Sequence, residues 1–187
     1  MSETDSAIRQ QIRYCTASDG TRIAYATSGG GPPLVKAANW MTHIDIEWDS
    51  SVWRHWLAGL SRQRTLVRYD ERGSGLSDRD VGHFEFDDWI DDLRAVVDAA
   101  GLARFPLLGI SQGAPTAIAF AAAHPERVER LILVGGYAQG RMIRATTPDD
   151  KQEAELDIEI ARVGWRRGRC GGPGAACRPA SPGDRPS

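Results

Sequence analysis

Leu107-Leu108-Gly109-Ile110-Ser111-Gln112-Gly113 sets the architecture expected of the whole chain. The run from Phe105 to Ile110 is apolar, G-x-S-x-G follows, and Ala114 to Ala123 is a small-residue helix. Strand, sharp turn and helix in that order place a serine at the tip of a strained turn. Neighbouring backbone packs closely on such a turn, so the positions two before and two after the serine have no room for a side chain, and Gly109 and Gly113 meet that demand. The hydroxyl projects over a helix start, where unpaired amides favour a nascent anion. A turn serine that merely caps a helix fits G-x-S-x-G taken alone. The apolar strand before it and the Ala-rich helix after it favour the elbow, with Ser111 as candidate nucleophile.

The segments on either side follow the same logic. Upstream, Gln11 to Ala17 and Thr21 to Thr27 alternate in polarity around Ser18-Asp19-Gly20 and read as a hairpin. Ser28 to Pro33 is a loop, and Leu34 to Ala38 a short buried strand that delivers Asn39 and Trp40. Ser51 to Gln63 carries Val52, Trp53, Trp56, Leu57 and Leu60 at helical spacing, and Thr65 to Tyr69 is the next strand. Phe86 to Ala100 is a helix with Trp89, Ile90, Leu93, Val96, Val97 and Ala100 on one side, stopped by Gly101. Downstream, Val128 to Val134 is a strongly apolar strand. Strand and helix thus alternate from residue 33 to 135, which predicts an α/β fold: a mostly parallel sheet with helices on both faces. Thr147 as N-cap, Pro148 and Asp150 start one more helix, expected to run to about Val163 with Leu156, Ile160 and Val163 on its apolar face. It is either the first helix of a lid or a simple surface helix.

The 187 residues suit one globular domain, and a net charge of -2 argues against nucleic acid as a partner. No run approaches the roughly 18 apolar residues of a membrane span. Met1 to Arg9 is polar and acidic, a flexible lead-in without the blocks of a signal peptide, so a cytoplasmic location is expected. Cys15, Cys170 and Cys177 are too widely spaced for a disulfide framework or a metal site. From Arg166 onward the composition changes: 17 of 22 residues are Arg, Gly, Pro or Ala, and Leu, Ile, Val, Phe and Met are absent. Such a segment cannot build a core. Residues 164–187 read as a disordered tail, either natural or the product of a shifted frame in a GC-rich gene.

Over residues 11–163 the chain resembles the α/β-hydrolase fold family. The resemblance rests on the opening hairpin, Asp70-Glu71-Arg72-Gly73-Ser74-Gly75-Leu76-Ser77, Gly109-Ile110-Ser111-Gln112-Gly113, and His124-Pro125-Glu126-Arg127-Val128 leading into Leu131 to Val134. It is similar in spelling to hydrolase-like domains found alone or fused ahead of nucleotide-cyclase or helix-turn-helix regulator modules. The resemblance implies a fold truncated after its sixth strand and first lid helix. It also implies Ser111 as nucleophile, the Gln112 amide as one oxyanion donor, and a small-molecule substrate cleaved at an ester, amide or similar bond without metal or organic cofactor. The second donor is assigned to Trp40, in an Ala38-Asn39-Trp40 turn where many relatives have His-Gly. His43 either lines the pocket or is an exposed loop residue, while Asp70 and Arg72 brace their own loop.

In this family acid and histidine follow the serine, and the sole histidine after Ser111 is His124. Thirteen helical residues put it roughly 20 Å from Ser111, at the helix end, where it suits the dipole. His43, His55 and His83 precede the serine. The site therefore reads as a hydrolase lacking its triad acid and histidine, with a non-catalytic small-molecule sensor as the competing reading.

Overall fold

The computed structural model describes residues 8–40, 42–82, 84–137 and 139–167, the side chains of its last helix only as far as residue 160. The chain divides into two compact units, residues 1–138 and 139–187.

The first unit is built on a six-stranded sheet of order β1-β2-β4-β3-β5-β6. Strands β1 (Gln10–Thr16) and β2 (Arg22–Gly29) form the expected hairpin, with Thr16 opposite Arg22 and Gln10 opposite Ser28. β2 runs antiparallel to β4 (Thr65–Tyr69). From there the sheet is parallel: β3 (Pro33–Lys36) lies between β4 and β5 (Phe105–Ile110), and β6 (Val128–Val134) follows β5. This is the mostly parallel sheet that the alternation of strand and helix implied.

Neighbouring residues of a central strand face opposite sides of a sheet, so a strand covered on both sides is apolar at every position. Val35 and Leu107 accordingly face the larger core, with Leu93, Val96 and Val97 of α3 (Phe86–Ala99) and Ala117 and Phe120 of α4 (Gly113–Ala123). Leu34, Leu66 and Leu108 face the opposite side, where Leu57 of α2 (Arg54–Ser61) covers them. The helix expected over 51–63 is thus shorter. Its stripe is only partly buried: Val52 is 64% exposed because the chain turns at Ser51 to Trp53, and Trp56, inside α2, is 44% exposed. A short α1 (Ile44–Asp49) precedes it, too brief to show a helical period in the sequence. α3 starts with a capping box between Glu85 and Asp88.

The second unit contains α5 (Arg141–Arg144) and α6 (Pro148–Arg167). α6 begins with the capping box read from the sequence: the Thr147 hydroxyl accepts from the Asp150 amide at 3.1 Å and the Asp150 carboxylate from the Thr147 amide at 3.1 Å. It continues past Val163 to Arg167, because helical backbone does not need the apolar periodicity that fades there. Residues 168–187, most of the expected tail, lie outside the described residues. No helix among the described residues is long and apolar enough to cross a membrane.

Candidate active site

β5 ends at Ile110 and α4 begins at Gly113, so the chain must reverse within Ser111 and Gln112. It does so with Ser111 at φ 52, the one non-glycine residue in the left-handed region among those described. Two backbone bonds hold it there: the Ser111 amide donates to the Val134 carbonyl at 3.0 Å, and the Ala114 amide to the Ser111 carbonyl at 3.0 Å. The glycines are required by contact. A Cβ on Gly109 would stand 2.7 Å from the Ala114 Cα, and one on Gly113 only 2.6 Å from the Ala38 carbonyl oxygen. Ser111 itself is exposed at the carboxyl end of the parallel strands.

The contact with Ala38 brings the second expected element to the elbow. The Ala37 amide donates to the Leu108 carbonyl at 2.9 Å, so the turn after β3 is tied to the strand that carries the serine. Within that turn Asn39 is buried and Trp40 half exposed. The Lys36 ammonium, 2% exposed, donates to the Asn39 side-chain carbonyl, so the turn is pinned from beneath as well. Burial pushes the Lys36 amine down to about 8, against the pull of Glu47, Asp70 and Glu71. Sequence reasoning missed Lys36 and its neighbours. The available signal was a lysine and an arginine, Lys36 and Arg68, inside apolar central strands, which requires buried counter-charges. Arg68 finds Glu47 at 2.8 Å and Gln10 at 2.7 Å. Glu71, buried beside Asp92, is raised to about 7, first by desolvation and then by that neighbouring carboxylate.

The 70–78 loop is braced as expected. Asp70 accepts the amides of Ile44 at 3.0 Å and Leu76 at 2.8 Å. Fully buried Arg72 makes a double contact with Asp92, at 2.7 and 3.0 Å, and reaches Asp19 at 2.7 Å. The histidines are accounted for locally. His43 caps α1, its Nδ1 accepting from the Ile46 amide at 3.4 Å, and His55 is exposed on α2. His124 caps the far end of α4, its ring 4.8 Å from that of Phe120. His83 lies outside the described residues. No other side chain among the described residues hydrogen-bonds the Ser111 hydroxyl.

Comparison with known proteins bears on the family and the fold. A family model described as the alpha/beta hydrolase fold matches residues 43–167. The chain is 31% identical over 126 residues to a pyrrolizixenacetamide deacetylase of Xenorhabdus hominickii, a match covering 67% of this chain and 46% of that protein. It is 34% identical over 108 residues to a 2-hydroxy-6-oxo-2,4-heptadienoate hydrolase of Pseudomonas putida, covering 57% of this chain and 34% of the other. Among solved structures, a hydrolase from Pseudomonas aeruginosa superimposes with a TM-score of 0.63 at 28% identity, over 82% of this chain and 52% of that one. The esterase RhEst1 of a Rhodococcus species gives 0.58 at 28% identity, over 84% and 64%. The chain therefore spans less than half the length of the curated relatives it matches.

Proposed function

Since the chain belongs to the α/β-hydrolase family, we propose that it carries the nucleophile half of a serine hydrolase acting on ester, amide or similar bonds of a small molecule in the cytosol. On this reading Ser111 attacks the carbonyl carbon, and an acyl-serine forms as the leaving group departs with a proton. The amides of Gln112 and Trp40 donate to the oxyanion, each contributing roughly 100- to 1000-fold in rate. The observation that carries the proposal is Ser111 at φ 52, held between a parallel strand and a helix start.

The same reading makes the 187 residues by themselves a poor catalyst. His43 and His124 are committed to helix ends and His55 to an exposed face, so a deprotonating imidazole is not among the described residues. A missing general base costs about 100- to 10,000-fold. The test is the rate of labelling by a serine-directed fluorophosphonate. Ser111 is expected to react more slowly than an intact hydrolase by about that 100- to 10,000-fold factor, with no labelling in Ser111→Ala. Labelling at the rate of an intact enzyme would overturn the incompleteness, and faster labelling elsewhere would overturn the assignment of Ser111. The turn Ala38-Asn39-Trp40 favours one rival, a small-molecule sensor that keeps the fold without the chemistry. On that reading Ser111 only hydrogen-bonds a ligand, so a bound ligand raises the unfolding temperature, Ser111→Ala lowers its affinity, and no acyl-serine forms.

A further inference from the structure

The turn that leads from β3 toward the elbow is held in two different ways. Its first half is fixed through the main chain: the Ala37 amide donates to the Leu108 carbonyl at 2.9 Å, and the Ala38 backbone hydrogen-bonds to the buried Tyr69 hydroxyl. Its second half is not. Among the described residues neither Asn39 nor Trp40 makes a hydrogen bond between main-chain groups. Asn39 is nevertheless buried, and its side-chain carbonyl accepts from the Lys36 ammonium. That contact is what secures the end of the turn.

A lysine is costly at this place. It ends β3, opposite Arg68 of β4 and Leu108 of β5, on the face where Leu34, Leu66 and Leu108 pack, and an ammonium is expensive to bury unless it is paired and hydrogen-bonded. Each element packed around it supplies a charge or a ring: Glu47 from α1, Arg68 from β4, Asp70 and Glu71 from the loop after β4, and Trp53 before α2, whose ring centre lies 5.6 Å from Nζ. Glu47 is already engaged by Arg68 at 2.8 Å. The hydrogen-bond acceptor that Lys36 finds among the described residues is the Asn39 side chain.

We propose that Lys36 is a positioning residue for the oxyanion turn: by holding the Asn39 side chain it fixes the plane of the peptide between Asn39 and Trp40, and with it the direction in which the Trp40 amide donates. A peptide unit is planar, so that amide turns with the Asn39 carbonyl. The consequence for reactivity rests on the assignment of Ser111 as nucleophile and of the Trp40 amide as oxyanion donor. A donor misplaced by about 1 Å costs about 100-fold in rate. Burial brings the Lys36 amine down to about 8. Below that pH an ammonium grips Asn39, and above it the weaker hydrogen bond of a neutral amine remains.

Two measurements on the full chain test this, the first independent of any reaction. In nuclear magnetic resonance spectra of the isotope-labelled protein, the Trp40 backbone amide is expected to shift with a midpoint at about 8, in step with the Lys36 side chain. In Asn39→Ala Lys36 still titrates but the Trp40 shift is lost, a comparison that stands even if Lys36→Met does not fold. The second is inactivation by the fluorophosphonate, resolved into a maximal rate, kinact, and a half-saturating concentration, KI. Lys36→Met and Asn39→Ala should each lower kinact about 100-fold with KI unchanged, and the double variant should be no slower than either. The ratio of native to Lys36→Met rates should fall as pH rises through about 8, and should still do so in a Glu71→Gln background, which removes the neighbouring group raised to about 7. A Trp40 amide indifferent to Lys36, a kinact unchanged in both variants, or a fall abolished by Glu71→Gln would each overturn the proposal. A Trp40 amide that follows Lys36 in a chain whose Ser111 never labels would support the positioning and overturn only the reading of Ser111.

Discussion

A serine held at φ 52 carries about 1 to 3 kcal/mol of backbone strain. Glycine adopts that conformation without strain, so Ser111→Gly is expected to raise stability by about 1 kcal/mol in denaturant unfolding while removing fluorophosphonate labelling. Gain of stability with loss of reactivity is the signature of a position kept for chemistry. Glu71 offers a second reading at this scale. Its carboxyl is raised from 4.5 to about 7, so between those pH values the folded state holds a proton that the unfolded state releases. Stability from this group is present below pH 4.5 and is lost as pH rises through 7, by up to about 3 kcal/mol. Glu71→Gln should flatten that part of the pH profile measured by thermal or urea unfolding; an unchanged slope would remove Glu71 as its source.

Among the elements, α3 and the loop after β4 are joined by a buried ion pair. Arg72 and Asp92 are both fully buried, and the double contact supplies most of the compensation for taking the guanidinium out of water. Removing one partner leaves the other uncompensated. Asp92→Asn is expected to destabilise the protein by about 3 to 5 kcal/mol in urea unfolding. α6 is held more lightly at its start, by the exposed Thr147–Asp150 box. Thr147→Ala should cost about 1 kcal/mol of helix stability, visible as faster amide exchange over the first turn of α6 with the exchange of β5 unchanged.

At the scale of the whole sheet, β6 is the outer strand among the described residues and is unlike an ordinary edge. Leu131, Ile132, Leu133 and Val134 of β6 are 38 to 46% exposed, and none carries the charge or proline that usually blunts an edge. Such a strand offers unpaired backbone groups together with apolar side chains, the combination that promotes aggregation. Leu133 faces the side of α4 by its register with Gly109. Leu133→Lys is therefore expected to raise the solubility limit without lowering the unfolding temperature. Solubility unchanged by this substitution would mean that the edge is harmless.

The amino-acid sequence alone determined the strands, the elbow and its two glycines, because each of these is fixed by neighbours within a few residues: alternation, helical spacing, a turn that admits no Cβ; the brace at Arg72 runs instead to Asp92 and Asp19, 20 and 53 positions away. It missed α1, which is shorter than two turns, and placed Val52 and Trp56 on one packed stripe, whereas Val52 lies in the turn before α2 and Trp56 on an exposed side of that helix. Only the tertiary structure decided that Lys36 and Arg68 are buried, that Lys36 holds Asn39 beneath the turn, and that Glu71 and Asp92 share one low-dielectric site. Except for Lys36 and Asn39, those pairings join residues that are far apart along the chain, and the cost of burying a charge depends on which counter-charge the fold brings to it. Local order is written in spacing, whereas electrostatics is settled by what lands next to what.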